Sequence, residues 1–232
     1  MEFLLLRVSD IAKVLIESEV SSPYVDLERV RNEGDYLTLV SSNTRSQLRK
    51  AYRMLSGPNG LSLQAAADLG ECMEIFGELV ELHQKTWAGR GQDGAFGSEY
   101  FCKFHRDLIT KRFSHGEMQL LRVKSGRNTV GCLYNFVYKG RVYFYQSGIN
   151  YEMDERIKPG LICQVEAIKY NANLGHAVYD FMAGDERYKK SLSTHEEKMI
   201  SARIQKASSM FWVERKLRAF KQRASRAMSR ER

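Results

Sequence analysis

The chain has 232 residues, of which 43% are hydrophobic and 11% aromatic, enough to form the core of one large domain or two small ones. This composition excludes a fully disordered chain, and the 3 prolines and 17 glycines exclude collagen-like and low-complexity classes. The longest early apolar run, Phe3 to Leu6, is too short to span a membrane and follows no basic segment. We therefore expect a cytoplasmic protein.

The net charge of +8 is concentrated near the C-terminus. Residues 207–232 carry eight basic and two acidic side chains, so this tail holds +6 and the rest of the chain +2. A nearly neutral body does not indicate a nucleic-acid-binding surface, and we expect no sequence-specific nucleic acid among the partners. The four cysteines lack the spacing of a zinc site, so we expect no metal.

The N-terminal part of the sequence, residues 1–56, has mixed patterning. Its apolar spacing and turn residues predict, in chain order, a strand at residues 3–8, a helix at 11–20, a short strand or first helical turn at 36–40, and an amphipathic helix at 41–55.

Beyond the strong breaker Gly57-Pro58-Asn59-Gly60 the patterning becomes regular. It predicts a strand at 61–65, helices at 72–87 and 100–113, strands at 118–123, 130–138 and 141–149, a helix at 161–173, a strand at 177–182, a short helical turn at 188–191 and a strand at 198–204. This order predicts an α/β or α+β domain built around one mixed sheet.

Four segments carry a resemblance to a known family. They are SSNTRSQLRKAYRML, LHQKTWAGRG, YFYQSGIN followed by KPGL, and YDFMAGDERYKK, all within residues 35–205. The last is the most specific, because a strand ending in Asp-Phe precedes Gly-Asp and then Tyr-Lys at fixed offsets. On these segments the chain resembles the acetyltransferase-like family of bacterial cellulose and exopolysaccharide operons (CelD-like). That family belongs to the Gcn5-related N-acetyltransferases (GNAT) and is related to the Fem-type peptidoglycan aminoacyltransferases.

The resemblance implies a GNAT-like acyl-CoA N-acyltransferase fold of the α/β (α+β) class, with a mixed, mostly antiparallel sheet flanked by helices. It assigns residues 57–206 to the acyltransferase domain and residues 207–232 to a separate tail. Because relatives usually carry two such domains in tandem, residues 1–56 are interpreted as the remnant of a first domain. A chain that is a fragment of a tandem protein is the alternative.

The activity implied by the resemblance is transfer of an acyl group from acetyl-CoA or another acyl-CoA to an amine. The acceptor is a small molecule or saccharide linked to bacterial exopolysaccharide or cell-envelope synthesis. Such a reaction needs donors for the pyrophosphate, a donor for the oxyanion and a base for the amine proton. Two alternatives stay open, namely a Fem-type aminoacyltransferase that uses aminoacyl-tRNA and a degenerate domain that only binds.

The fold that the chain resembles binds its acyl donor between two splayed strands, here residues 141–149 and 177–182. Ser147 on the first of these strands is assigned to donor binding. The pyrophosphate lies on the N-terminus of the following helix, which places Lys158, Gly160 and Leu161 at the phosphates. The glycine-rich phosphate loop of simple acetyltransferases is absent, so a plain turn is the alternative interpretation.

Asp180 and Tyr188 are the catalytic candidates. Asp180 lies on a short apolar strand, where an unpaired carboxylate is costly. It is interpreted as a general base or an orienter of the amine, with a structural ion pair to Lys189 or Arg187 as the alternative. Tyr188 occupies the place where related acetyltransferases have a tyrosine that protonates the leaving thiolate, and a packing tyrosine is the alternative.

Acceptor binding is assigned to side chains near the long helix and the aromatic strand. Arg90 can hold an anionic group bidentately, or can simply be a cation at a helix end. Strand alternation places Tyr145 and Ser147 on one face of the strand and places Gln146 on the other face. One of these faces can line a sugar pocket, or both can be core. His83 and His105 are expected at the edge of the core. The full acceptor set is Trp87, Arg90, Tyr145, Gln146 and Lys189.

The basic tail predicts an amphipathic helix over residues 210–228, because its apolar side chains recur at spacings of three and four. The two interpretations are contact with a membrane surface or acidic partner, and packing on the domain or on a second subunit. The first would place the protein at the periphery of the inner membrane.

Overall fold

The computed structural model describes residues 12–55, 60–152 and 157–206. Its helices are α1 (Leu27–Glu33), α2 (Ser42–Leu55), α3 (Leu69–Ala88), α4 (Glu99–Arg112), α5 (Pro159–Asn173) and α6 (Arg187–Leu192), with single 3₁₀ turns at Tyr36–Leu39, Ala95–Gly97 and Phe113–His115. Its strands are β1 (Ala12–Asp26), β2 (Leu61–Ala65), β3 (Met118–Ser125), β4 (Asn128–Tyr138), β5 (Arg141–Ile149), β6 (Val178–Asp180) and β7 (His195–Lys206).

One seven-stranded sheet has the order β2-β3-β4-β5-β6-β1-β7. The pairs β2–β3, β3–β4, β4–β5 and β1–β6 are antiparallel, and β5–β6 is parallel. The parallel pair requires a crossover, which α5 provides. The α/β architecture with a mixed, mostly antiparallel sheet is therefore confirmed.

Helices cover both faces of the sheet and bury a separate apolar core on each. One core holds residues of α1, α2 and α5 against the sheet, including Leu27, Leu48 and Ile162. The other holds residues of α3 and α4, including Phe76 and Ile109. Since inward-facing residues of the central strands contribute to both cores, the sheet is buried on its two sides.

A close backbone approach fixes α3 on β5. Gly148 of β5 lies under α3, and a Cβ atom placed on it would come within 2.2 Å of the carbonyl oxygen of Leu79. Only glycine allows this distance. The side chains that α3 carries toward its C-terminal end are thereby held next to β5.

The described residues divide into two compact units. Residues 21–197 form the larger unit, which contains all six helices and both cores. Residues 12–20 and 198–206 belong to the smaller unit, where Glu19 pairs with Lys198 at 3.3 Å and Glu17 pairs with Arg203.

The N-terminal predictions are partly wrong. Residues 11–20 were expected to be helical from their apolar spacing, but residues 12–26 form a strand that pairs with β6 at Tyr24↔Asp180. Tertiary pairing overrides a weak helical period here, helped by the β-branched Val14 and Ile16. The helix α1 was not predicted, although Asp26 caps its N-terminus and Gly34 ends it. The predicted strand at 3–8 and the tail at 207–232 lie outside the described residues.

Candidate functional site

The second half of β5 has an open edge. Parallel pairing with β6 is limited to residues 141–143, because β6 ends at Asp180 while β5 continues to Ile149. Within the described ranges, residues 144 and 146–149 pair with β4 alone. Their backbone groups on the other side are available to a ligand. The strands β5 and β6 are the pair that the family resemblance implied would splay apart, and they pair only at residues 141–143 of β5.

One cavity of about 490 Å³ opens beside this edge, and we call it the α5 cavity. Its walls are the end of β5, the first turn of α5, Tyr151 and Tyr188. The structure brings together here all four residues that were predicted to bind the donor, which are Ser147, Lys158, Gly160 and Leu161.

The N-terminus of α5 forms the polar part of this cavity. Lys158 is the N-cap residue and Pro159 starts the helix, with no side chain capping it. A Cβ atom on Gly160 would meet only Tyr151 Oη at 3.6 Å and Ile149 Cγ1 at 3.9 Å, so there is space above the first turn. The helix dipole and the Lys158 charge both favour an anion in that space.

A second cavity of about 520 Å³ lies on the α3 side of β5, and we call it the α3 cavity. Its walls come from α3, from β5 and from the segment 186–189. The guanidinium of Arg90 lies 5.3 Å from the centre of the Trp87 ring. All five residues that were predicted to bind the acceptor line this cavity, namely Trp87, Arg90, Tyr145, Gln146 and Lys189.

The two cavities adjoin across β5, because five residues line both of them: Phe144, Ser147, Ile149, Tyr151 and Tyr188. A molecule in one cavity and a molecule in the other would therefore meet at the end of β5 and at Tyr188. Such an arrangement suits a reaction between two bound substrates.

A β-bulge in β5 changes the predicted alternation of its side chains. Gln146 pairs with Tyr134 and Phe144 pairs with Asn135, so Tyr145 is the extra residue on its strand. Tyr145 packs on the same core as Tyr134, on the α3 side, and Ser147 is paired with Leu133 of the opposite core. The bulge thus puts Tyr145 and Gln146 together, whereas alternation had placed them on opposite faces.

Tyr188 follows the short strand β6 and reaches both cavities. Burial raises the pKa of its phenol well above the ordinary value, and the nearby Glu186 carboxylate adds to this shift. The hydroxyl therefore stays protonated at neutral pH. A protonated phenol is what the predicted proton donor to a thiolate requires.

Lys189 is a buried residue that lines the α3 cavity. Its side chain is 7% exposed, and its Nζ donates to the carbonyl oxygen of Ala183 at 2.9 Å and pairs with Glu186 at 3.1 Å. Glu186, which is more than half exposed, therefore balances Lys189. Burial raises the pKa of Glu186, but hydrogen bonds and the Lys189 charge outweigh it and lower the pKa overall.

Asp180 lies outside both cavities. Its carboxylate, 5% exposed as a residue, pairs with Arg141 Nε at 3.3 Å and accepts from Ser22 Oγ at 3.2 Å and from the Met182 amide at 2.7 Å. The ion-pair partner is thus Arg141, rather than the Lys189 or Arg187 that the sequence suggested. The base assignment of Asp180 stays a prediction.

The glycine-rich loop after α3 supports the α3 cavity from behind. Gly94 has a φ of +64°, and a Cβ atom on it would lie 2.7 Å from Gln84 Oε1 and 2.9 Å from Trp87 Cγ. Gly94 lets the loop press against these two side chains. The loop therefore positions Trp87, and its own residue Arg90 is part of the cavity wall.

His83 lies at the edge of the core, as expected from the sequence, because it is buried and packs on Phe96, and it also lines the α3 cavity. A signal that could have indicated this role is its place in the segment LHQKTWAGRG, one helical turn before Trp87. In the described ranges, no group of three or more His, Cys, Asp or Glu side chains is arranged to hold a metal ion. No helix in the described part of the chain is long and apolar enough to cross a membrane.

Several solved structures share this fold at low sequence identity. FemX superposes with a TM-score of 0.55 at 12% identity, covering 78% of this chain and 61% of its own. The C-terminal domain of a protein assigned as a lysylphosphatidylglycerol synthetase from Agrobacterium fabrum gives 0.58 at 12% identity, covering 88% and 65%. A conserved protein from Bacteroides thetaiotaomicron gives 0.56 at 11%, covering 89% and 66%.

At these identities the comparisons show a shared fold alone, and this chain spans 61% to 66% of the length of the three structures. No curated protein sequence matches the chain significantly. The profile of the family described as "Acetyltransferase (GNAT) domain" matches residues 42–190, which include β2 to β6, α2 to α5 and all the residues that line the two cavities. The chain belongs to this family of acyltransferases.

Proposed function

We propose that the chain transfers an acyl group from an acyl-CoA to an amine acceptor linked to bacterial exopolysaccharide or cell-envelope synthesis, as in the CelD-like branch of the family. The observation that carries the proposal is the pair of cavities that adjoin across the open edge of β5. A transferase with two substrates needs two sites whose contents meet at one point. The residues in each cavity match the chemistry of one substrate.

The α5 cavity suits the thioester donor. The first turn of α5 and the Lys158 charge would hold the pyrophosphate, and the apolar wall of Phe144, Ile149 and Leu161 would pack on the pantetheine arm. The open backbone edge of β5 would then face the thioester carbonyl and offer its N–H groups to the oxyanion. Tyr188 would give its proton to the departing thiolate.

The α3 cavity suits a saccharide amine. Trp87 and Tyr145 offer aromatic faces, Gln146 offers an amide for hydroxyl groups, and Arg90 offers two donors to an anionic substituent. Lys189 adds a second cation near Tyr188. We infer a polar saccharide amine whose ring stacks on the aromatic faces, and an anionic substituent on that sugar would pair with Arg90.

The second candidate is transfer of an aminoacyl group from aminoacyl-tRNA. Two observations favour it: the fold shared with FemX and with the lysylphosphatidylglycerol synthetase domain, and the absence of a glycine-rich phosphate loop from the sequence. The third candidate is a domain that binds one of these ligands and does not turn it over.

One assay separates the three candidates. The chain is incubated with acetyl-CoA and D-glucosamine, or with alanyl-tRNA and D-glucosamine, and the release of free CoA or deacylated tRNA is followed. Our proposal expects release from acetyl-CoA that depends on the amine. Release of deacylated tRNA from alanyl-tRNA, with no release of CoA from acetyl-CoA, would establish the second candidate. Binding of desulfo-CoA by calorimetry without any release would leave a binding domain and contradict the proposal.

A further inference from the structure

His83 lies one helical turn before Trp87 on α3 and forms part of the wall of the α3 cavity. It is 5% exposed, and its ring packs edge-on against Phe96 with centroids 4.9 Å apart. The imidazole is therefore held firmly from the side away from the cavity. A histidine that is both buried and accessible from a substrate cavity can move a proton.

The tautomer of His83 follows from its neighbour. Gln84 Nε2 donates to the carbonyl oxygen of Asp93 at 2.6 Å, which fixes the orientation of the amide. Gln84 Oε1 consequently faces His83 Nδ1 at 3.1 Å and can only accept. Nδ1 must therefore carry the proton, and Nε2 keeps its lone pair. Among the described residues, the hydrogen bond of the His83 ring is the one at Nδ1.

The other buried histidine in this region, His105, has a hydrogen-bond partner at each of its two ring nitrogens. His105 is 2% exposed and does not line the cavity. Its Nδ1 lies 3.4 Å from Tyr134 Oη and its Nε2 lies 3.2 Å from Tyr145 Oη. Both ring nitrogens of His105 therefore form hydrogen bonds with tyrosine hydroxyls, and His105 helps to hold Tyr145 in place. Of these two imidazoles, His83 is the one whose Nε2 can accept a proton from a substrate.

The charge state of His83 agrees with this geometry. Burial lowers its pKa, and the hydrogen bond to Gln84 opposes that shift only in part. The other ionisable groups that line the same cavity are Arg90 in the loop after α3, Tyr145 on β5, Tyr151 just after β5, and Glu186, Tyr188 and Lys189. The imidazole is neutral at neutral pH, which is the form able to accept a proton.

We propose that His83 Nε2 is the general base that takes the proton of the acceptor amine, and that Gln84 is a positioning residue that fixes its tautomer. The inference rests on the proposed acyl transfer and deepens it. The amine nitrogen attacks the thioester carbon, and its N–H proton passes to Nε2. The C–S bond then breaks, the electron pair leaves on sulfur, and Tyr188 protonates the thiolate. Return of the His83 proton to Tyr188 through solvent restores both groups, so one proton moves from nitrogen to sulfur overall.

Two substitutions and one control test this assignment. His83→Asn keeps an N–H donor for Gln84 Oε1 and removes the base. Gln84→Glu keeps an acceptor for Nδ1 and adds a negative charge that raises the pKa of His83. His176→Asn is the control, because His176 also has a pKa lowered by burial but lies outside both cavities. CoA release from acetyl-CoA with D-glucosamine is measured between about pH 5 and pH 8.

We expect His83→Asn to lower kcat by about 10² or more with unchanged desulfo-CoA affinity, and His176→Asn to match the parent protein. Gln84→Glu should move the acidic limb of the rate profile to higher pH, which a purely structural role would not do. The inference is overturned if His83→Asn keeps the parental rate and profile.

A second measurement needs no turnover. The ring nitrogens of His83 are observed by nitrogen-15 NMR, with His83→Asn for assignment. A neutral ring protonated at Nδ1 is expected, and a ring protonated at Nε2 would contradict the inference. If no amine is acylated by the parent protein, the proposed function fails in the assay, whereas the tautomer still decides whether His83 offers a free base.

Discussion

Tyr188 is the side chain on which both substrates are expected to converge, since it lines the two cavities and keeps its proton through burial. Tyr188→Phe removes only the hydroxyl. We expect kcat for acetyl-CoA to fall by about 10² while the affinity for desulfo-CoA stays within about twofold. A variant that keeps the parental kcat would show that the leaving thiolate takes its proton from another source.

Asp180 illustrates how the same sequence feature supports two roles until its contacts are known. The carboxylate is held by Arg141, Ser22 and the Met182 amide, all of which lie outside the two cavities. These contacts favour the ion-pair alternative over the base assignment.

Replacement of Asp180 by Asn separates the two roles. The amide keeps the shape but loses the ion pair, so we expect the free energy of unfolding to fall by about 1–3 kcal/mol. Turnover per folded molecule should change by less than about threefold. Urea unfolding and steady-state kinetics, measured on the same sample of the variant, decide between the ion-pair role and the base role. Parental stability with a large loss of kcat would instead restore Asp180 as a base.

At the level of single elements, the position of α3 on β5 depends on Gly148. Gly148→Ala would bring a Cβ atom to 2.2 Å from the Leu79 backbone, so the helix must shift. We expect a loss of about 1–3 kcal/mol in the free energy of unfolding. Gly77→Ala on the same helix is the matched control, because no atom lies within 4 Å of its added Cβ.

The control should gain up to about 1 kcal/mol, since alanine costs less backbone entropy than glycine in a helix. Thermal or urea unfolding of both variants checks the pair. Equal stability of Gly148→Ala and the parent protein would contradict the close approach of α3 to β5.

How far the sequence predicts each element depends on whether its pattern is local. The strands β2 and β5 have the predicted bounds, because period-two alternation and turn residues mark them. Residues 12–20 show the opposite case, since pairing with distant strands decides their conformation. The short helix α1 has too few turns to produce a period. The bulge at Tyr145 cannot be recognised from the alternation, so the face of Gln146 and the place of His83 in the cavity wall are seen only in the structure.

At the level of the whole molecule, the candidate site is assembled from segments that are far apart in sequence. α3, β5, α5 and α6 each supply a wall, and every residue predicted for donor or acceptor binding lies in the corresponding cavity. The family resemblance supplied these assignments, because neither spacing nor composition places residues 83–90 beside residues 186–189. The tail at 207–232 lies outside the described residues, so its membrane contact stays a prediction.

That prediction concerns the +6 charge of the tail. Each basic residue near an anionic surface contributes about 1 kcal/mol, and salt weakens the attraction. We expect the full chain to sediment with phosphatidylglycerol vesicles at low salt and to be released at high salt. A version ending at Ser209 should stay in solution. Equal sedimentation of both versions would contradict a role for the tail, and a sharp fall in melting temperature on truncation would show that it packs on the fold.

The central claim is that the α5 cavity holds the phosphates of the acyl donor, and desulfo-CoA binding to a pair of Gly160 variants tests it most directly. Gly160 has room for a side chain, so Gly160→Ser should fold and keep its affinity within a few-fold. Gly160→Asp places a negative charge where the pyrophosphate is expected, while an acidic residue in the first turn suits the helix itself. Titration calorimetry should therefore show affinity reduced by about tenfold or more in Gly160→Asp alone, with the melting temperature unchanged. Equal affinity of the two variants for desulfo-CoA would contradict the claim.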